Sequence, residues 1–285
     1  MTSTLVRQHP PRTGALPRAD LRARARDWSE IQERMLVPLY EAVYERLDVS
    51  PTTRLLGLGC GSGLALLMAA SRGAAVTGVD TCADRLALAR ERLLPDERDA
   101  HVRDDTRIVR GSPGEAARAD APAYTVVTAF EPIGCLAGDT ERLGDLLAEA
   151  VPLAGRGAAV VLTGWGPPER CATASVLRVA AGPAEPLRGG TGAWRPTDRD
   201  DLERVAARAG LWPDGSGRVA CPFGYADADS AVRGLKSTGL FDPAVTATDQ
   251  AQVDKELAEA LHPYRRQDGT VWMPNVFRYL VARVP

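Results

Sequence analysis

The residues best placed to do chemistry lie in Leu55-Leu-Gly-Leu-Gly-Cys-Gly-Ser-Gly63 and in Val76-Thr-Gly-Val-Asp80. A short apolar strand runs into a turn with glycine at positions 57, 59, 61 and 63, and the turn opens onto a helix beginning at Leu64. Glycine tolerates positive φ and leaves bare backbone that a ligand can touch. The start of a helix adds unpaired N–H groups. Asp80 closes the next apolar strand, where a carboxylate can accept both hydroxyls of a ribose. Together these residues describe a βαβ unit built to bind a nucleoside.

Spacing narrows the nucleoside. A dinucleotide fingerprint places glycines at i, i+2 and i+5. From Gly57 the third position is Ser62, and from Gly59 it is Leu64, so the pyrophosphate pattern fails. The run Gly59-Cys-Gly-Ser-Gly63 instead resembles motif I of the class I S-adenosyl-L-methionine (SAM) methyltransferases, and Asp80 matches that family's ribose-binding acid. The resemblance implies SAM as cofactor, bound by Gly57, Leu58, Gly59, Cys60, Gly61, Asp80 and Thr81, with Ser112 and Phe130 at neighbouring strand ends. Two positions depart from the family pattern. Gly57 stands where an acid normally helps hold the glycine loop and the methionine end of SAM, and Ser112 stands where an acid normally faces the adenine amine. Less charged cofactor contacts leave other readings open: SAM-dependent cyclisation or hydroxylation, or a non-catalytic SAM- or nucleoside-binding protein.

The elements that must position these residues alternate. Strands are expected over 54–58, 75–80, 107–110, 124–130 and 158–163, with helices over 64–71, 83–94 and 140–151 between them. That order predicts a parallel sheet covered by helices on both faces. Further on, a helix is expected over 169–181, a Gly/Pro-rich loop over 182–196, and a helix over 198–209 with Thr197 as N-cap and Gly210 beyond its end. Strands over 217–221 and 276–284 enclose helices over 227–237 and 248–261. The resemblance covers 50–165, 197–221 and 276–285. The phrases Tyr124-Thr-Val-Val-Thr-Ala-Phe130 and Pro274-Asn-Val-Phe-Arg-Tyr-Leu-Val-Ala282 are similar to those of bacterial small-molecule methyltransferases. It implies an α/β Rossmann-like class I methyltransferase fold: a seven-stranded, mostly parallel sheet with an antiparallel edge hairpin, plus a helical cover. Residues 1–50 would be a disordered tail, over 1–20, followed by cap helices over 21–34 and 37–47. Residues 51–285 would form the SAM-binding domain, with 225–270 inserted as a helical lid.

Composition bounds the partners. A net charge of −2 gives no electrostatic reason to expect nucleic acid. The only lysines are Lys236 and Lys255, an arginine skew that fits GC-rich coding better than a phosphate-binding surface. The cysteines at 60, 82, 135, 171 and 221 are odd in number and lack C-x-x-C spacing, which points to reduced thiols in the cytoplasm, without a zinc site. No apolar run reaches membrane-spanning length. Histidines at 9, 101 and 262 are too scattered for a histidine-rich metal site. A small-molecule acceptor is expected, and the oligomeric state stays open, a homodimer included.

Methyl transfer from a sulfonium is an in-line displacement, so an enzyme mainly aligns the acceptor and excludes water. A hydroxyl acceptor would also want a general base. Glu131 is the first candidate, because ligands of open α/β sheets bind beyond strand C-termini; capping the next turn, or contact with solvent, is the alternative. His262, at an expected helix end, is the second candidate base, although a histidine there also suits the helix dipole. Trp165, after the fifth strand, is expected to wall the acceptor pocket. Trp28 and Tyr40 on the cap helices would approach the acceptor or stitch the cap to the core. Phe130 packs near the cofactor or into the core, and Cys60 matters for its size and backbone N–H rather than its thiol. No Asn/Asp-Pro-Pro-Tyr/Phe motif follows the fourth strand, which by the resemblance argues against amino methylation of bases.

Overall fold

The computed structural model describes residues 18–94, 105–118, 121–181, 195 and 197–285. Residues 1–17 of the expected tail, and the loop expected over 182–196 apart from Arg195, lie outside the described residues. Nine strands are found among the described residues: β1 (Arg54–Leu58), β2 (Ala75–Asp80), β3 (Thr106–Arg110), β4 (Tyr124–Ile133), β5 (Ala154–Trp165), β6 (Trp212–Ala220), β7 (Phe223–Tyr225), β8 (Val271–Met273) and β9 (Val276–Arg283). The main sheet has seven strands in the order β3-β2-β1-β4-β5-β9-β6. The first five are parallel, while β9 runs antiparallel to both β5 and β6. This is the Rossmann-like methyltransferase architecture, with its antiparallel pair at the edge. Strand order reverses at β1, which pairs with β2 on one side and β4 on the other. Ligands of open α/β sheets bind in the crevice such a reversal leaves.

Alternate residues of the central strands feed two cores. Leu55, Val76, Val126, Val161 and Val281 face one layer of helices, and Leu56, Val79, Val127, Val160 and Leu280 face the other. Burial on both faces explains why these strands read as continuous apolar runs in the sequence. Helix α3 (Leu64–Ala70) lies close on the sheet because Leu66 fills the space above Gly57, 2.9 Å from where a Cβ would stand, and also the space above Gly78.

The N-terminal segment departs from the single helix expected over 21–34. Helix α1 (Arg18–Asp27) widens into a π turn at Trp28–Gln32, tightens into a 3₁₀ turn at Glu33–Leu36, and continues as α2 (Val37–Arg46). A π turn re-aims the side chains that follow it. Here it turns Gln32 and Glu33 inward, both buried. The remaining helices are α4 (Ala83–Leu93), α5 (Asp139–Ala150), α6 (Thr173–Leu177), α7 (Asp201–Arg208), α8 (Ala228–Ser237), α9 (Asp242–Ala247) and α10 (Gln250–Leu261). The helix expected over 169–181 is instead a 3₁₀ turn at Pro168–Arg170, α6 and a second 3₁₀ turn at Arg178–Ala181. Thr197 does not cap α7: its hydroxyl instead donates to the Gly134 carbonyl at 2.6 Å, and Asp200 takes the N-cap position.

Helices α8–α10 come in the chain between β7 and β8, which pair as a small two-stranded sheet, and α8 packs against the N-terminal segment. Polar ties cross that contact: Arg24 to Asp242 at 2.8 Å, and the Tyr225 hydroxyl donating to Gln32 Oε1 at 2.9 Å. Gly234 allows the approach, since a Cβ there would lie 2.9 Å from Ile31 Cγ2 and from Tyr225 Cε1. Gly234→Val should therefore wedge α8 off the π turn and cost about 1–3 kcal/mol, as overpacking does. Urea unfolding of the two proteins checks this, with the loss appearing in the midpoint.

Candidate active site

The glycine turn is held from two sides. Its glycines adopt left-handed backbone angles, with φ of 60° at Gly59, 56° at Gly61 and 81° at Gly63. Asp80, at the end of β2, accepts the Gly61 N–H at 2.9 Å on one oxygen and the Cys82 N–H at 2.8 Å on the other. Each carboxylate oxygen keeps a further lone pair for a ligand. On the opposite side stands Glu33, a residue with no motif around it in the sequence. Its carboxylate is 2% exposed, accepts from the Ser62 hydroxyl and the Leu64 N–H, and pairs with Arg92 at 2.7 Å. Arg92 also donates to the Ser62 carbonyl at 2.8 Å and to the Ser29 hydroxyl at 2.8 Å. A buried, ion-paired and hydrogen-bonded carboxylate thus fixes the turn from the side opposite Asp80.

The turn faces a cavity of about 1070 Å³, counted out to its mouth. Of the residues singled out from the sequence, Trp28, Tyr40, Gly57, Leu58, Gly59, Cys60, Gly61, Asp80, Phe130, Glu131 and Trp165 line it together. Thr81 is exposed and Ser112 half-buried, and both stand outside that lining. His262 is exposed at the end of α10 and also stands outside it. Sequence reading missed Glu33, Arg85, Thr173, Phe223 and Phe277, all of which line the cavity. None carries a local signature; each arrives through packing between elements distant in the chain.

The cavity has two chemically different ends. Around the glycine turn are Asp80, Glu33, Arg85 and the Trp28 indole, with the Arg85 guanidinium stacked 4.2 Å from the ring centroid. Trp28 Nε1 is buried and has no hydrogen-bond partner. Away from the turn the wall is aromatic. Phe130 packs on Tyr40 at 4.7 Å, and Trp165 packs on Phe277 at 4.6 Å, with Phe223 beside both. Glu131 stands between the ends, its Oε2 3.5 Å from where a Cβ on Gly59 would lie. Its side chain also lines a second, smaller cavity of about 510 Å³ under the β4–α5 loop.

Titration narrows the chemistry. Burial pushes the Cys135 and Cys221 thiols up to about 12, and burial raises Cys60 as well, assisted by Asp80 and Glu33 nearby. These thiols stay protonated at neutral pH and are poor nucleophiles. Tyr40 is raised in the same way, by burial first and then by Glu33, and so remains a phenol.

The loop that walls the cavity after Glu131 is tied by Asp139, which accepts the N–H groups of Gly134, Cys135 and Leu136 on one oxygen. Arg195 bridges Asp139 and Asp201 at 2.7 Å each, joining this loop to α7. Asp139→Ala strips the acceptor from three loop N–H groups, two of them buried, and removes one of the ion pairs of Arg195, so stability should fall by about 3 kcal/mol. Thermal unfolding measures that loss. Asp80→Ala removes charge-assisted bonds worth roughly 1.5–3 kcal/mol each, and calorimetry should show nucleoside affinity falling at least tenfold.

Residues 56–143 match the family model of a methyltransferase domain. No curated protein matches the chain. A candidate methyltransferase from Bacillus halodurans C-125 superposes with a TM-score of 0.55 at 13% identity, over 86% of this chain and 98% of that one. YjhP from E. coli gives 0.51 at 19% identity, over 92% and 99%. The geranyl diphosphate C-methyltransferase from Streptomyces coelicolor A3(2), solved with Mg²⁺, geranyl diphosphate and S-adenosyl-L-homocysteine, gives 0.45 at 18% identity, over 86% and 78%. These structural likenesses are likenesses of fold.

Proposed function

For a chain that carries a class I SAM-dependent methyltransferase domain, we propose that the acceptor is a small organic molecule, methylated on oxygen or nitrogen within the closed aromatic end of the cavity. The cofactor is SAM, and the residues present fit it. Asp80 keeps lone pairs at the end of β2, Gly61 leaves backbone bare where a Cβ would come 2.9 Å from Trp28 Nε1, and that buried N–H still lacks a partner. Bound there, SAM supplies an electrophilic methyl group on a sulfonium.

The observation that carries the reading is continuity. One cavity runs from the glycine turn into a chamber walled by Tyr40, Phe130, Trp165, Phe223 and Phe277, and Trp28, Leu235 and Leu240 from the cover also line it. A chamber lined by rings and aliphatic carbons favours an acceptor with an apolar or aromatic body. Within it the chain aligns the acceptor and keeps water out. Glu131, between the two ends, takes the proton that a hydroxyl or amine acceptor releases. Residues 1–50 and 225–270 act as cap and lid in this reading and must open for exchange. Five free cysteines agree with a cytoplasmic setting. Among the described residues no helix is long and apolar enough to cross a membrane.

The test is to incubate the protein with SAM and a panel of phenolic, carboxylic and amine acceptors. S-adenosyl-L-homocysteine should be released in step with a product heavier by one methylene. Products of unchanged mass would assign the site to another SAM-dependent reaction instead. Glu131→Gln should leave cofactor affinity intact and slow turnover on the order of 10²–10⁴-fold, with the loss shrinking at high pH as the acceptor ionises unaided. A rise in KM at nearly constant kcat would make Glu131 a substrate-orienting residue.

A further inference from the structure

We propose that Trp28 and Glu33, side by side on the π and 3₁₀ turns of the N-terminal segment, read the amino-acid end of the cofactor: the indole N–H takes the carboxylate and Glu33 Oε1 the ammonium. This deepens the methyltransferase reading and rests on it. Both atoms converge on one bare point of the glycine turn. A Cβ on Gly61 would lie 2.9 Å from Trp28 Nε1 and 3.4 Å from Glu33 Oε1. Trp28 Nε1 is a buried donor without a partner, a state that costs free energy until a ligand acceptor meets it. Arg85 stacks on that indole and lines the same wall, so the partner favoured there is an anion. Glu33 Oε2 is taken by Arg92 and the Ser62 hydroxyl, whereas Oε1 accepts only a long bond of 3.3 Å from the Leu64 N–H and keeps capacity for a cation. An N–H beside a guanidinium, next to a carboxylate oxygen, complements a zwitterion.

Gly57 fits the same picture. Leu66 Cδ2 occupies the space a side chain there would take, 2.9 Å from its Cβ, and position 57 supplies no carboxylate to the turn. Glu33 brings one from the N-terminal segment instead. Because that segment also packs on α8, binding the amino-acid end couples cofactor loading to closure of the cover.

The experiment compares two ligands by calorimetry. S-adenosyl-L-homocysteine carries the amino-acid end, and 5′-methylthioadenosine keeps the adenosine and sulfur but lacks it. Trp28→Phe retains the ring and removes the donor; it should weaken S-adenosyl-L-homocysteine roughly tenfold to a hundredfold while leaving 5′-methylthioadenosine unchanged. Glu33→Gln should give the same selective loss. Should that variant fold poorly, decarboxylated S-adenosyl-L-homocysteine serves on the ligand side: it should bind wild type more weakly and lose nothing further on Trp28→Phe. Equal losses for both ligands, or none for either, would overturn the assignment. A wild-type chain that binds neither ligand would overturn the cofactor reading itself.

Discussion

The turn between β1 and α3 can exist only because two carboxylates hold it. Three consecutive alternate glycines in left-handed geometry have high conformational freedom, and freezing that freedom costs free energy. Asp80 supplies hydrogen bonds from the sheet side, and Glu33 supplies them from the cover side. Each carboxylate also faces the cavity. The groups that shape the turn are thereby the groups that a ligand on the turn meets. Glu33 cannot be buried alone, so Arg92 accompanies it, and Arg92 in turn ties Ser29 and the Ser62 carbonyl. A charge at this depth is tolerable only as part of such a satisfied network.

That arrangement makes the N-terminal segment part of the site rather than an appendage. Its π turn places Trp28 over Gly61 and directs Gln32 toward Tyr225, while Gly234 lets α8 approach closely enough to share the contact. The cover is held by these polar ties and also by burial, since Ile31, Leu39, Leu235, Phe241 and Leu257 belong to the first of the two apolar cores.

At the far end of β4 the chain solves a different problem. β4 carries Glu131 into the cavity lining and runs on to Ile133, and the loop that follows must not wander into the cavity. Asp139 gathers three loop N–H groups, Thr197 takes the Gly134 carbonyl, and Arg195 clamps the whole to α7. The aromatic wall formed by Trp165, Phe223 and Phe277 then closes the space by packing alone. Polar groups at one end and aromatic rings at the other give the cavity two chemically different ends.

Much of this was legible in the chain. The glycine turn, Asp80 and the alternation of strands with helices are local patterns, each written within a few residues, and they specified the parallel part of the sheet and a nucleoside-type cofactor; the antiparallel edge pair followed from the family resemblance. Glu131 was expected just past a strand ending at Phe130, whereas β4 runs on to Ile133 and holds Glu131 within it, exposed and on the cavity lining. What local pattern could not carry was contact across the chain. Gly57 read as a deficit because the carboxylate that serves the turn comes from Glu33, on a segment with no motif and an irregular π-to-3₁₀ geometry. Thr197 read as a helix cap, yet its hydroxyl found a stronger claim in a loop carbonyl far away in sequence. His262 had the right chemistry and a plausible helix end, but that end points to solvent. Sequence spacing determines backbone geometry and which side chains share a face; which faces meet is decided only when distant elements pack, and there the aromatic wall of the cavity is made.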